Sequence, residues 1–95
     1  MHAAEGHYRL ALCTDPAVAL YWFNLAVVVE DLGRRAEAIA TYEQALELDP
    51  DFADVHYNLA RLYQMMARSS NDELVLRRAI RHLSHYRRLA GAAAR

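Results

Sequence analysis

Residues 19–52 read ALYWFNLAVVVEDLGRRAEAIATYEQALELDPDF, and the Asp49-Pro50 pair that nearly closes this stretch repeats an Asp15-Pro16 pair 34 residues earlier. Sliding the chain against itself by that interval brings Ala4 onto Ala38, Tyr8 onto Tyr42, Ala11 onto Ala45 and Leu12 onto Leu46. Ala19 then falls on Ala53, Asn24 on Asn58, Leu25 on Leu59, Ala26 on Ala60 and Arg34 on Arg68. With the two Asp-Pro pairs this gives 11 identities over the 31 positions from Ala4 to Arg34. Self-similarity at a fixed period is the mark of a repeat architecture, in which each unit buries its apolar face against a neighbour.

Within the repeat the spacing is helical. Asp15 and Asp49 suit helix N-caps, and the proline after each lacks an N–H that the first helical position would leave unpaired. From Pro16 the apolar residues Leu20, Phe23, Val27 and Leu32 recur at three to five residues until Gly33 ends the run. A second helix is predicted from about Arg35 to Leu48, with Ile39, Tyr42, Ala45 and Leu46 on one side and Glu37, Glu43 and Glu47 facing out. The pattern restarts at Asp51 and runs to about Ala67 through Val55, Leu59, Leu62, Tyr63 and Met66. Each unit is a helix–turn–helix hairpin, so the fold class is all-α, with about five helices.

Trp22, Leu25, Ala26, Val29, Gly33, Ala38, Tyr42, Ala45 and Pro50 resemble the signature of the tetratricopeptide repeat family, with Val29 in place of the usual tyrosine. Asn58-Leu59-Ala60 and Tyr63 begin a further copy, with Ala67 where glycine is common. Ala4, Tyr8, Ala11 and Pro16 look like the second helix of a preceding repeat. The resemblance covers nearly the whole chain and implies a single α-solenoid domain over 1–95. Its parts are a second helix of a partial repeat at 3–14, a full repeat at 16–50, a lengthened repeat at 51–90 and a tail at 91–95. It also implies a right-handed superhelical stack whose inner surface binds protein segments.

Two departures from the period carry information. Ala79-Ile80 matches Ala38-Ile39 at an offset of 41, seven more than the repeat, and seven residues are close to two helical turns. Ser70-Asn71-Asp72-Glu73 reads as a capping box opening a long final helix from about Asn71 to Ala90. The alternative is a loop over 69–74 before a helix of ordinary length. At the other end the chain opens on a repeat's second helix, so that the face bearing Tyr8 and Leu12 needs cover. Either the chain is part of a larger protein or a second copy supplies that surface.

Composition supports the class and removes others. Eighteen alanines and 13 leucines stand against three glycines and two prolines, a balance that favours helix over a turn-rich β fold. The single cysteine, Cys13, closes no intramolecular disulfide, and neither a signal peptide nor an apolar run of membrane-spanning length is present. A cytoplasmic protein with no membrane association is expected. All 11 basic residues are arginine, a weak pointer to a GC-rich, bacterial genome. Net charge is −1, yet residues 1–54 set three Arg against ten acids, a net of −7, while residues 55–95 set eight Arg against two acids, a net of +6.

The resemblance places the binding groove on the first helix of each repeat. Carried over, the candidate protein- or peptide-binding residues are Leu20, Phe23, Asn24 and Val27, with Glu30, then Tyr57, Asn58, Arg61 and Met65, with Asp54. An asparagine amide both donates to and accepts from an extended backbone, and Arg61 suits a carboxylate. This is similar to a fragment of a carboxylate clamp, but residues 17–33 hold no basic side chain, so a full clamp is not expected. Arg77, Arg78, Arg81 and Arg88 on the final helix form either a solvated cap, such as a stack needs at its end, or a surface for an acidic partner. Nucleic acid is disfavoured by the near-neutral charge and the lack of an aromatic ladder. His82 and His85 stand at i, i+3 without a clear third ligand and are read as solvated; Cys13 is read as a buried or idle thiol. No catalytic residue, metal site or cofactor site is assigned, and no enzyme activity is expected. The leading function is a protein-interaction module. The second is self-association within a larger protein, giving a homodimer or oligomer, and the third a regulatory domain beside a nucleic-acid-binding region.

Overall fold

The computed structural model describes residues 2–93. Its helices are α1 (His2–Thr14), α2 (Ala19–Asp31), α3 (Arg35–Leu48), α4 (Ala53–Ser70) and α5 (Glu73–Ala93), with no strand among the described residues. The chain divides between Pro50 and Asp51 into two compact units, the first carrying α1 to α3 and the second α4 and α5.

In the first unit α2 packs on both α1 and α3. Leu25, Ala26 and Val29 of α2 and Ala38, Tyr42 and Ala45 of α3 are buried. Alanine at three of these positions lets helix backbones approach closely, and the larger Leu25 and Tyr42 fill what remains. The Tyr42 ring lies tilted against Phe23, centroids 6.1 Å apart, and its hydroxyl donates to Glu30 Oε1 at 2.9 Å. The turn between α2 and α3 depends on Gly33, whose φ of 84° lies in the left-handed region. There the Gly33 N–H donates to Glu30 O and the Arg34 N–H reaches back to Val29 O, satisfying carbonyls at the helix end.

Charge ties α1 into this unit alongside buried Leu12. Arg9 donates from Nη2 to Glu37 Oε1 at 2.7 Å and from Nε to Glu5 Oε2 at 3.0 Å. Arg34 pairs with both Glu5 and Glu37. Hydrogen bonds from Arg34 and then Arg9 hold the Glu5 carboxyl below its ordinary range, and Glu5 and then Glu37 raise Arg9 in turn.

In the second unit α4 packs on α5. Val55, Leu59, Ala60, Leu62 and Tyr63 of α4 are buried, as is Ala79 of α5. The seven residues inserted relative to the first repeat lengthen both helices. Counting from the Ala38–Ala79 match, α4 gains five residues at its end and α5 three at its start, while the connection is one residue shorter.

Helix starts differ from the sequence reading. The Asp-Pro pairs do not cap α2 or α4, which begin after Val18 and Phe52 without a side-chain cap. They end the preceding helices instead, because proline cannot supply the next N–H and the residue before it is pushed out of the α region. Asp49 is the C-cap of α3, and Asp15 Oδ1 accepts from the Ala17 N–H at 3.3 Å in a local turn. Ser70 likewise belongs to α4, its hydroxyl donating to Met66 O at 2.8 Å, so the capping box does not form. Asn71 takes the left-handed conformation, φ 54°, that closes α4, and Asp72 Oδ1 accepts from the Leu74 N–H at 2.9 Å at the start of α5. The final helix therefore runs Glu73–Ala93 rather than 71–90 and takes in residues 91–93 of the expected tail; residues 94 and 95 lie outside the described residues.

Candidate protein-interaction surface

The candidate residues of α2 fall on one helical face, at spacings of three and four. Leu20 is exposed, while Phe23, Asn24 and Val27 are half-buried. Phe23 is anchored by Tyr42, which leaves only part of its ring to a partner. On α4, Tyr57 is 47% exposed and Asn58, Arg61 and Met65 are half-buried. Tyr57 is steadied by Tyr86 of α5, ring centroids 5.2 Å apart.

Two of these side chains, Tyr57 and Arg61, line a cleft of about 160 Å³ between α4 and α5. Ala60 and Gln64 complete its α4 wall, and Leu76, Ala79, Ile80 and Leu83 form the α5 wall. The α5 contribution was missed because Leu76, Ala79, Ile80 and Leu83 read in sequence as an ordinary amphipathic stripe. Only Ala79 among them is buried; Leu76 and Ile80 are 44% and 56% exposed. An apolar stripe names a face that avoids water without saying which neighbour covers it.

The basic residues of α5 are spread around the helix. Arg77, Arg78, Arg81 and Arg88 are exposed. Arg77 pairs with Glu73 one turn back at 3.0 Å, and the Arg78 guanidinium stands 6.0 Å from the Tyr63 ring centroid. Cys13 is exposed rather than buried.

His82 and His85 are half-buried, not simply solvated, because α4 brings His56 against them. His56 Nδ1 and His82 Nδ1 are 2.9 Å apart, and the His56 and His85 rings stack at 4.1 Å with planes 10° apart. His56 and His82 lie on different helices, and no local spacing reveals their meeting. Among the described residues no group of three or more His, Cys, Asp or Glu side chains has the geometry to hold a metal ion. Nor is any helix long and apolar enough to cross a membrane.

Helical hairpins with this period, alanine-lined packing and a left-handed glycine between the two helices of the first hairpin define an α-solenoid repeat protein. The family model described as a TPR repeat matches residues 31–66. The peroxisomal targeting signal receptor of Kluyveromyces lactis is 40% identical over 53 residues, which are 56% of this chain and 9% of that protein. Its counterpart in Candida glabrata is 38% identical over 53 residues, with the same coverage. Among solved structures, MamA AMB-1 superposes with a TM-score of 0.72 at 28% identity, over 86% of this chain and 44% of that one. MamA MSR-1 gives 0.71 at 26%, over 92% and 50%. The chain thus spans a small part of the curated relatives it matches and about half of the MamA chains. Residues 31–66 thus match a tetratricopeptide repeat within a fold like that of the MamA chains, which supports a protein–protein interaction module.

Proposed function

We propose that this chain captures a segment of another protein on the exposed faces of its repeat-opening helices, with the α4–α5 groove as the strongest point of attachment. The groove itself carries the reading: an open apolar cleft with a tyrosine and an arginine on its wall, within a fold class used for protein recognition. Ligand sites combine an apolar lining with a few placed polar groups, and this cleft has that make-up. Leu76, Ile80 and Leu83 offer area for an apolar side chain. Arg61 carries five N–H donors in a fork suited to a carboxylate. Tyr57 supplies a rigid amphipathic ring of the kind that anchors interfaces. Asn58 and Met65 on α4 and, in the first unit by itself, Leu20, Phe23, Asn24 and Val27 on α2 are further candidate contacts on faces that the family resemblance places inward. The expected partner is therefore a segment with apolar side chains beside an acidic one.

Panning a dodecapeptide display library on the chain tests this. Peptides that pair an acid with apolar residues, and that lose about tenfold or more in affinity for Arg61→Glu, would support it. Selected peptides without an acid, or equal affinity for the variant, would overturn it. A second reading, self-association, draws on the charge division along the chain, −7 over residues 1–54 and +6 over 55–95. Complementary potentials of this kind steer and orient association.

A further inference from the structure

His56 is 5% exposed on α4, and its Nδ1 lies 2.9 Å from Nδ1 of His82 on α5. A ring nitrogen donates when it carries a proton and accepts when it does not. At this distance one Nδ1 must hold the hydrogen and the other the lone pair. Two fully protonated rings would point two N–H groups at each other. While the contact lasts, the pair carries at most one positive charge.

The surroundings confine both rings. His85 of α5 stacks on His56 at 4.1 Å, and Tyr63 of α4 stacks on His82 at 5.8 Å. Charged groups facing this cluster include the Asp51 carboxylate, 3.8 Å from His85 Nε2, and the Arg78 guanidinium over the Tyr63 ring. Neither lifts the limit on the pair, because that limit is set by the geometry of the Nδ1 contact.

We propose that the His56–His82 contact is a proton-sensitive latch, holding α4 against α5 at neutral pH and releasing it on acidification. Once unfolded, both histidines take up protons below the ordinary imidazole range, about pH 6.5. The folded pair accepts one proton fewer. The latch's stabilisation is thus fully present above about pH 6.5 and is lost progressively as pH falls below it. Since α4 and α5 also form the walls of the groove, partner capture would weaken with acid. That consequence rests on the groove reading above; the latch does not.

Urea unfolding of the full chain, followed by helical circular dichroism from about pH 8 to about pH 5, tests the latch against the double variant His56→Phe/His82→Phe. Relative to the variant, the wild-type unfolding constant should rise by up to about tenfold per pH unit below pH 6. Equal pH slopes would overturn the proposal. Nitrogen NMR of the wild-type histidines supplies a readout that does not depend on the variant folding. One Nδ1 of the pair should be protonated and the other bare at neutral pH, and the second should gain its proton only as the α4 and α5 amide signals lose their folded dispersion. Two protonated Nδ1 atoms in a unit that remains folded would overturn the latch. Failure of the groove reading would look different: no peptide captured at any pH, with the wild-type pH slope intact.

Discussion

Tyr42 shows how one residue serves both packing and polar satisfaction. Its ring is fully buried beside Phe23, and its hydroxyl finds the Glu30 carboxylate across the α2–α3 hairpin at 2.9 Å. A buried hydroxyl without a partner costs stability, so the acid on α2 is part of the reason a tyrosine is tolerated there. Tyr42→Phe keeps the ring and removes the donor. A hydrogen bond to a charged acceptor contributes about 1.5–3 kcal/mol, and the half-buried setting of Glu30 puts the expected loss toward the lower end. The urea midpoint of Tyr42→Phe should fall accordingly with an unchanged slope, since the surface exposed on unfolding stays the same. An unshifted midpoint would mean that Glu30 and Tyr42 are equally well satisfied apart. Gly33 was legible at this scale, because a glycine after a helical run marks a left-handed closure. His56 was not, because its meaning depends on a partner 26 residues away that only tertiary packing supplies.

At the scale of elements, α1 is held against its neighbours by buried Leu12 and by a network of Glu5, Arg9, Arg34 and Glu37. Hydrogen bonds from Arg34 and Arg9 lower the Glu5 carboxyl in the folded state. The sign follows from that direction. Stability from Glu5 is present above the ordinary carboxylate range, near 4.5, and is lost as pH falls through its lowered folded value. Amide exchange of α1 should therefore accelerate relative to α2 and α3 as pH is lowered from about 6 to about 3, after correction for the intrinsic rate. Glu5→Gln should show the faster α1 exchange already at neutral pH and lose the pH dependence. If α1 keeps its protection in that variant, Leu12 and its apolar contacts hold it alone. The helices themselves were readable because period and composition agree over long runs. The helix ends were less so: Asp15-Pro16 and Ser70-Asn71-Asp72-Glu73 are as compatible with ending one helix as with starting the next. A long final helix was anticipated from the seven-residue offset, since two extra turns keep the apolar stripe in phase, but α4 takes the larger share of the extension. How those turns divide between α4 and α5 depends on where Asn71 can adopt the left-handed conformation, which the period does not encode.

Over the whole molecule, a net charge of −1 conceals a division between an acidic stretch of −7 and a basic one of +6. Among the described residues, the exposed large apolar side chains fall in both parts, with Leu10, Leu20 and Leu48 in the acidic part and Tyr57, Leu74, Leu76 and Ile80 in the basic part. Exposed apolar side chains within stretches of opposite charge are what two copies of one chain would bring together head to tail or antiparallel. Electrostatic association of exposed groups weakens as the screening length shortens, from about 10 Å at ~0.1 M salt to about 3 Å at ~1 M. Under the self-association reading, light scattering after size exclusion should give a mass above that of one chain at the lower salt and the single-chain 10.8 kDa at the higher. An assembly that resists salt would move the contact to the apolar faces, because hydrophobic burial does not weaken with screening. Ile80→Glu should then dissociate it, by placing a carboxylate on an exposed apolar wall of the α4–α5 groove. A single-chain mass at both salt levels would remove the second reading and leave the groove for a foreign segment, whose acidic side chains would answer the same basic stretch.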